Sequence, residues 1–152
     1  MQSLSVLNRK LITFIKIDNK TKMDFLEAYI YTGIARAFIL FVPFNKLRKR
    51  MGKSKVESKE EVEVNEYRVA KRISWIVTQA TNYTPWSSKC LVQALTAQKM
   101  LKKRGIHTTI YLGVKKDIYN NMKAHAWIRC GTYIVTGGMN KGEYTVVAKF
   151  SN

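Results

Sequence analysis

The chain reads as an α+β protein in which helices come first and an antiparallel sheet closes the molecule. Three observations predict this. Residues 23–44 and 64–79 carry apolar side chains at helical spacing, residues 106–114 alternate between apolar and polar, and turn residues Gly131 and Gly137-Gly138 set off further short β-like runs. Helices collected ahead of hairpin-connected strands make a two-layer architecture. With 152 residues and 46% hydrophobic content there is enough material for one core of ordinary size. The mixed-charge stretch from Arg48 to Val64 marks a boundary, so the expected division is an N-terminal helical extension, 1–55, and a main domain, 56–152.

The most apolar run, 23–44, approaches the length of a membrane span, but Glu27, Gly33 and Arg36 fall inside it and Pro43 ends it. A charge near the bilayer centre costs roughly 2.5 to 3.5 kcal/mol, which favours a packed helix, with peripheral membrane contact as the alternative. In the next helix Val69, Ile73 and Ile76 recur at helical spacing, with Trp75 and Val77 beside them. Ser87 or Ser88 is placed to cap a third helix running from Cys90 to about Arg104, and Gly105 stops it as a C′ residue does. Its inward stripe is Leu91, Ala94, Leu95, Gln98 and Leu101, and Lys99, Lys102 and Lys103 lie outside it or near its C-terminal end. Strands at 106–114, 123–130, 133–136 and 143–150 then form an antiparallel meander.

The 27 Lys and Arg against 10 Asp and Glu leave a net charge of +17. Such a surface attracts anions without saying which, and nucleic acid is not the expected partner. Two cysteines, and Arg9, Lys10 and Lys16 interrupting the first apolar segment, point to a reducing cytoplasmic location without an export signal, with membrane association as an addition.

Two residues carry the chemistry. Cys90 opens a helix behind Pro85-Trp86, and His125 follows 35 residues later on a strand. A thiol at a helix N-terminus has its thiolate favoured by the helix dipole, and an imidazole can pair with it. On that strand His125, Trp127 and Arg129 share one face and Ala124, Ala126, Ile128 and Cys130 the other, so Cys130 is expected as a buried structural residue. The two Cys and two His show no metal-ligand spacing and no phosphate loop is visible, so neither a metal nor a cofactor is expected. Gln79, Trp86 and Trp127 are candidates for oxyanion or substrate contacts, with the backbone N–H of Cys90 a further oxyanion donor.

The ordered runs Pro85-Trp86-Ser87-Ser88-Lys89-Cys90-Leu91-Val92-Gln93-Ala94-Leu95, Leu101 to Ile106, Leu112-Gly113-Val114-Lys115 and Ala124-His125-Ala126-Trp127 resemble the lasso-peptide leader peptidases, transglutaminase-like cysteine peptidases typified by the C-terminal domain of the microcin-processing protein. The likeness covers about 64–150, and the N-terminal helices followed by Val42-Pro43-Phe44 look like the stand-alone form of that family. It implies a transglutaminase/papain-like core with Cys90 as nucleophile and His125 as general base and then acid. It also implies a leader-bearing precursor peptide as substrate, a separate small leader-recognition protein, and an ATP-dependent asparagine-synthetase-like cyclase acting afterwards. The family's Asp a dozen residues after the histidine is missing here. That leaves Thr136, Asn140, Glu143 or a backbone carbonyl to orient the imidazole.

Two further functions fit the same residues: a non-enzymatic basic adaptor for nucleic acid or acidic membrane, using residues 46–55, and acyl transfer to an amine by the same Cys-His pair.

Overall fold

The computed structural model describes residues 15–152. Arg9 and Lys10, two of the three cations set against an export signal, lie outside the described residues. Helix α1 (Asn19–Phe41) starts at Asp18, whose carboxylate accepts the Thr21 N–H at 3.0 Å and the Thr21 hydroxyl at 2.6 Å. After Pro43 come α2 (Phe44–Met51), strand β1 (Lys53–Ser54) and an extended strap, 55–63. Helix α3 (Val64–Thr81), a loop at 82–89 and helix α4 (Cys90–Lys103) follow. The sheet strands are β2 (Thr109–Lys116), β3 (Met122–Cys130), β4 (Tyr133–Thr136) and, after a short 3-10 turn at Lys141–Glu143, β5 (Thr145–Ser151).

The helix and strand periodicities therefore mark real elements, with two adjustments. Lys89, not Ser87 or Ser88, occupies the N-cap of α4, and its side chain caps nothing. The Ser88 hydroxyl is instead paired with Thr84 Oγ1 at 2.7 Å. The sheet is also not a plain meander: its order is β1-β5-β2-β3-β4. Strands β2, β3 and β4 follow one another, but β5 crosses back to the free edge of β2, where Ala148 pairs with Leu112 and Phe150 with Ile110. That crossover puts Phe150 into the hydrophobic core.

Side-chain alternation gives the sheet two unlike faces. Ile110, Ala126, Ile128, Cys130 and Phe150 join one core cluster with Ile73, Ile76 and Val77 of α3 and Ala94, Ala97, Met100 and Leu101 of α4. Of the expected α4 stripe, Ala94, Gln98 and Leu101 are buried, while Leu91 and Leu95 are half-buried against the cluster. Residues on both sides of position 55 share this core: Ala28, Leu47 and Met51 belong to it, and β1 pairs with β5. On the opposite face Arg129 ties down the strap. Its guanidinium donates to Tyr111 Oη at 2.7 Å and to the Ser58 carbonyl at 2.9 Å, and Thr109 Oγ1 accepts the Ser58 N–H at 2.8 Å.

The two carboxylates within the apolar run, Asp24 and Glu27, serve packing. Small residues Ala28, Thr32 and Ala35 bring the inner face of α1 close to α3 and α4, and Asp24 is buried among them. Its two carboxylate oxygens accept from Arg72 Nε of α3 and Arg104 Nη2 just after α4, each at 2.8 Å. Glu27 accepts from the same Arg104 nitrogen at 2.9 Å. Among the described residues no helix is long and apolar enough to cross a membrane.

Replacing Asp24 by Ala leaves two guanidinium groups facing a gap. Loss of one partner from a buried pair costs about 3 to 5 kcal/mol, and partial exposure of both arginines reduces the expected loss to about 2 kcal/mol. Urea unfolding of Asp24→Ala, with Asp24→Asn as the near-isosteric control, measures it.

Candidate active site

Cys90 is the first residue of α4, half-buried, with its side chain against the core cluster. The loop that delivers it is fixed at two points. The Thr84 hydroxyl lies 3.1 Å from the Thr81 carbonyl, 3.2 Å from the Trp86 carbonyl and 2.7 Å from Ser88 Oγ, and Gln93 Nε2 donates to the Ser88 carbonyl at 3.0 Å. Trp86 anchors the loop to α1: its indole N–H donates to Thr32 Oγ1 at 3.3 Å, and its ring lies 5.2 Å from that of Tyr29. Gly33 makes room for it, since a Cβ there would sit 3.1 Å from the indole. Trp86, a candidate substrate contact from sequence, is thus bonded to the N-terminal helix. With no side chain capping α4, the first-turn N–H groups around Cys90 stay available as donors.

His125 sits on β3 opposite Gly113 of β2. Its Nε2 is 2.8 Å from the Gly137 carbonyl. A carbonyl only accepts, so Nε2 carries the proton and the neutral ring keeps its lone pair on Nδ1. Tyr144 and Trp127 flank the imidazole, with ring centres at 5.0 and 5.9 Å. Trp127 is buried and stacks on Tyr111 at 5.6 Å. Gly137 has φ +75, and a Cβ there would fall 2.2 Å from the Ala126 carbonyl, so only glycine brings its own carbonyl this close to the strand.

The three side chains considered as orienters go elsewhere. Thr136 Oγ1 is buried with no hydrogen-bond partner among the described residues, Asn140 is exposed with φ 58 at the start of the 3-10 turn, and Glu143 pairs with Lys115 Nζ. Gln79 is half-buried near the end of α3, where its carbonyl accepts the Asn82 N–H at 3.2 Å. Of the options left open by sequence, the backbone carbonyl is the one that touches the imidazole. Tyr144 was not foreseen as a neighbour of His125. Its position immediately before β5 was the only signal, and the expectation of a plain meander hid it.

Cys90 and His125 are not hydrogen-bonded to each other. Residues 104–108 turn the chain back from α4 into β2, so the start of α4 and the His125 end of β3 lie at the same end of the two layers. Alternation nevertheless places the imidazole with Trp127 on the sheet face turned away from the core cluster that Cys90 touches. Among the described residues no group of three or more His, Cys, Asp and Glu is placed to hold a metal ion.

Cys130 is fully buried, and burial pushes its thiol up from 9.0 to about 11. Iodoacetamide at pH 8 is expected to label Cys90 and to spare Cys130 until the protein unfolds, as read by peptide mass mapping. Between pH 9 and 11 the folded thiol keeps a proton that the unfolded one releases. Stability therefore falls as the pH rises through that window, and Cys130→Ala removes this part of the slope in denaturation curves. For His125, long-range 15N–1H correlation is expected to show the Nε2–H tautomer. Gly137→Ala is expected to abolish that preference and to cost about 1 to 3 kcal/mol of stability.

A family model described as the transglutaminase-like superfamily matches residues 38–149. No curated protein and no solved structure matches the chain. The match spans α2, both helices that lead to and carry Cys90, and nearly all of the sheet that carries His125. The chain belongs to the transglutaminase-like superfamily, whose members are typically cysteine-dependent enzymes.

Proposed function

We propose that the protein is a cysteine peptidase that removes the leader from a lasso-peptide precursor, with Cys90 as nucleophile and His125 as its base. The observation that carries the reading is the His125–Gly137 bond: it holds the proton on Nε2 and leaves Nδ1 as the basic nitrogen. A neutral carbonyl stabilises the imidazolium less than a carboxylate would, so the pair works as a dyad whose geometry is set by the main chain.

In the proposed reaction Nδ1 takes the thiol proton as Cys90 Sγ attacks the scissile carbonyl. The tetrahedral oxyanion accepts from uncapped N–H groups at the start of α4. The imidazolium then protonates the leaving amine, which is the new N-terminus of the core peptide, and water attacks the thioester to free the leader carboxylate. Cys90 and His125 share no hydrogen bond and face different sides of the sheet, so this reading requires the bound peptide to bring the start of α4 and the His125 end of β3 together at the end of the two layers they share. The freed amine suits the ATP-dependent asparagine-synthetase-like cyclase implied by the sequence resemblance, and a small recognition protein would present the leader. Superfamily membership supports acyl transfer to an amine as a second reading, since the same thioester serves both.

Mass spectrometry of the precursor, incubated with the recognition protein and either wild type, Cys90→Ala or His125→Gln, separates these outcomes. A single cut is expected with wild type, none with Cys90→Ala, and a rate lower by about 10² to 10⁴ with His125→Gln. Fragments whose masses sum to precursor plus water identify hydrolysis, and addition of an acceptor amine identifies transfer. Cutting by Cys90→Ala at the wild-type rate would end both readings.

A further inference from the structure

The outer face of α1 and the turn into α2 form a surface that the candidate site does not use. Met23, Leu26, Ile30, Ile34 and Phe41 recur at spacings of three, four, four and seven, and all are exposed, Phe41 by 81%. Phe44, at the start of α2, continues the stripe past Pro43. Exposed apolar residues collected in one stripe mark an interaction surface, whereas single ones are ordinary.

Asp24 and Glu27, the carboxylates at the N-terminal end of the stripe, are paired with Arg72, Lys103 and Arg104, and beyond them the charge is of one sign. From Ala28 to Val56 the chain has no carboxylate side chain, and Lys46, Arg48, Lys49 and Arg50 of α2 are all exposed. Between α1, α2 and α4 runs a groove of about 510 Å³, with Tyr31, Ile34, Phe38 and Leu95 among its apolar walls. Lys49, Arg50, Lys99 and Lys102 also line it, and the Arg50 guanidinium lies over the Phe38 ring at 4.2 Å from its centre.

We propose that this face seats the protein on an anionic phospholipid surface. The stripe from Met23 to Phe44 would enter the boundary between headgroups and acyl chains. Lys49, Arg50, Lys99 and Lys102 would meet the headgroup phosphates. An amphipathic helix lying in the interface needs this combination of apolar anchor and cationic flank, and each Lys or Arg near such a surface contributes about 1 kcal/mol. A surface made of one sign of charge and aliphatic or aromatic anchors matches a lipid layer, whose charge is also uniform. A protein partner would more commonly meet it with mixed polar pairs. The seating is peripheral, in keeping with the absence of a membrane-spanning helix among the described residues. It stands independently of the peptidase reading.

Co-sedimentation of the full chain with extruded vesicles tests this, using phosphatidylcholine alone against equal parts phosphatidylcholine and phosphatidylglycerol. Binding is expected only to the anionic vesicles, and less of it at high salt. Phe41→Asp, and separately the pair Lys49→Glu with Arg50→Glu, are expected to weaken it by at least about tenfold. The pair Lys71→Glu with Lys116→Glu makes the same net charge change on other elements and is expected to have a much smaller effect. No binding to anionic vesicles would overturn the proposal and assign the stripe to a protein partner. Equal weakening by the two charge-reversal pairs would overturn it in favour of undirected attraction by the +17 chain.

Discussion

The position of the candidate nucleophile depends on one buried carboxylate. Asp24 is 6% exposed and receives hydrogen bonds from two arginines that belong to α3 and to the end of α4, so a single residue of α1 fixes three helices against one another. Once α1 is held there, Thr32 and Gly33 face the loop before α4 and form the seat for Trp86. Trp86 then sets the path of the five-residue run that ends at Cys90. The chain thus uses a salt-bridged cluster far along α4 to register the opposite end of the same helix. A helix is stiff enough for that, and its first turn carries the candidate nucleophile.

Much of this was legible in the sequence because periodicity is a local property. The helix from Cys90, the strand around His125 and the α+β class follow from spacing and from Gly105, which takes φ +74 at the end of α4. The separation of Cys130 from His125 follows from strand alternation, and its burial from the tendency of free cysteines to be buried. The return of β5 to the β2 edge was not legible, since a turn at Gly137-Gly138 is compatible with pairing on either side. The N-cap was misplaced for a related reason: Ser88 is a good capping residue, but Thr84, four residues upstream, competes for its hydroxyl. Trp86 is a candidate substrate contact from sequence and is also bonded to the N-terminal helix. Its actual partner, Thr32, is 54 positions away, a distance over which sequence pattern carries no information.

The two sheet faces divide the work. The face toward α3 and α4 is apolar and close-packed, and Cys130 at its edge is one more small hydrophobe. The other face is polar and aromatic. Arg129 stitches the strap to it through the Ser58 and Lys59 carbonyls, while Trp127 and Tyr144 flank His125 and Tyr111 stacks on Trp127. A ring held by stacking and by one short hydrogen bond loses little freedom on meeting a substrate, which is what preorganisation of a base requires. Positive charge reaches this face as well: Arg129 lies on it, and Lys115 Nζ sits over the Tyr144 ring at 4.7 Å from its centre.

Because the group that aligns His125 belongs to the peptide backbone, it has no side chain to delete. With Cys90 and His125 as the catalytic pair proposed above, a scan that truncates residues one at a time would find those two but no third position in the usual sense. Its imprint would appear instead as intolerance at position 137 of any residue larger than hydrogen at Cα, through steric exclusion and not through lost chemistry. An inventory of acidic residues near the histidine would therefore undercount the functional parts of this protein, and the missing part would be written in the path of the chain.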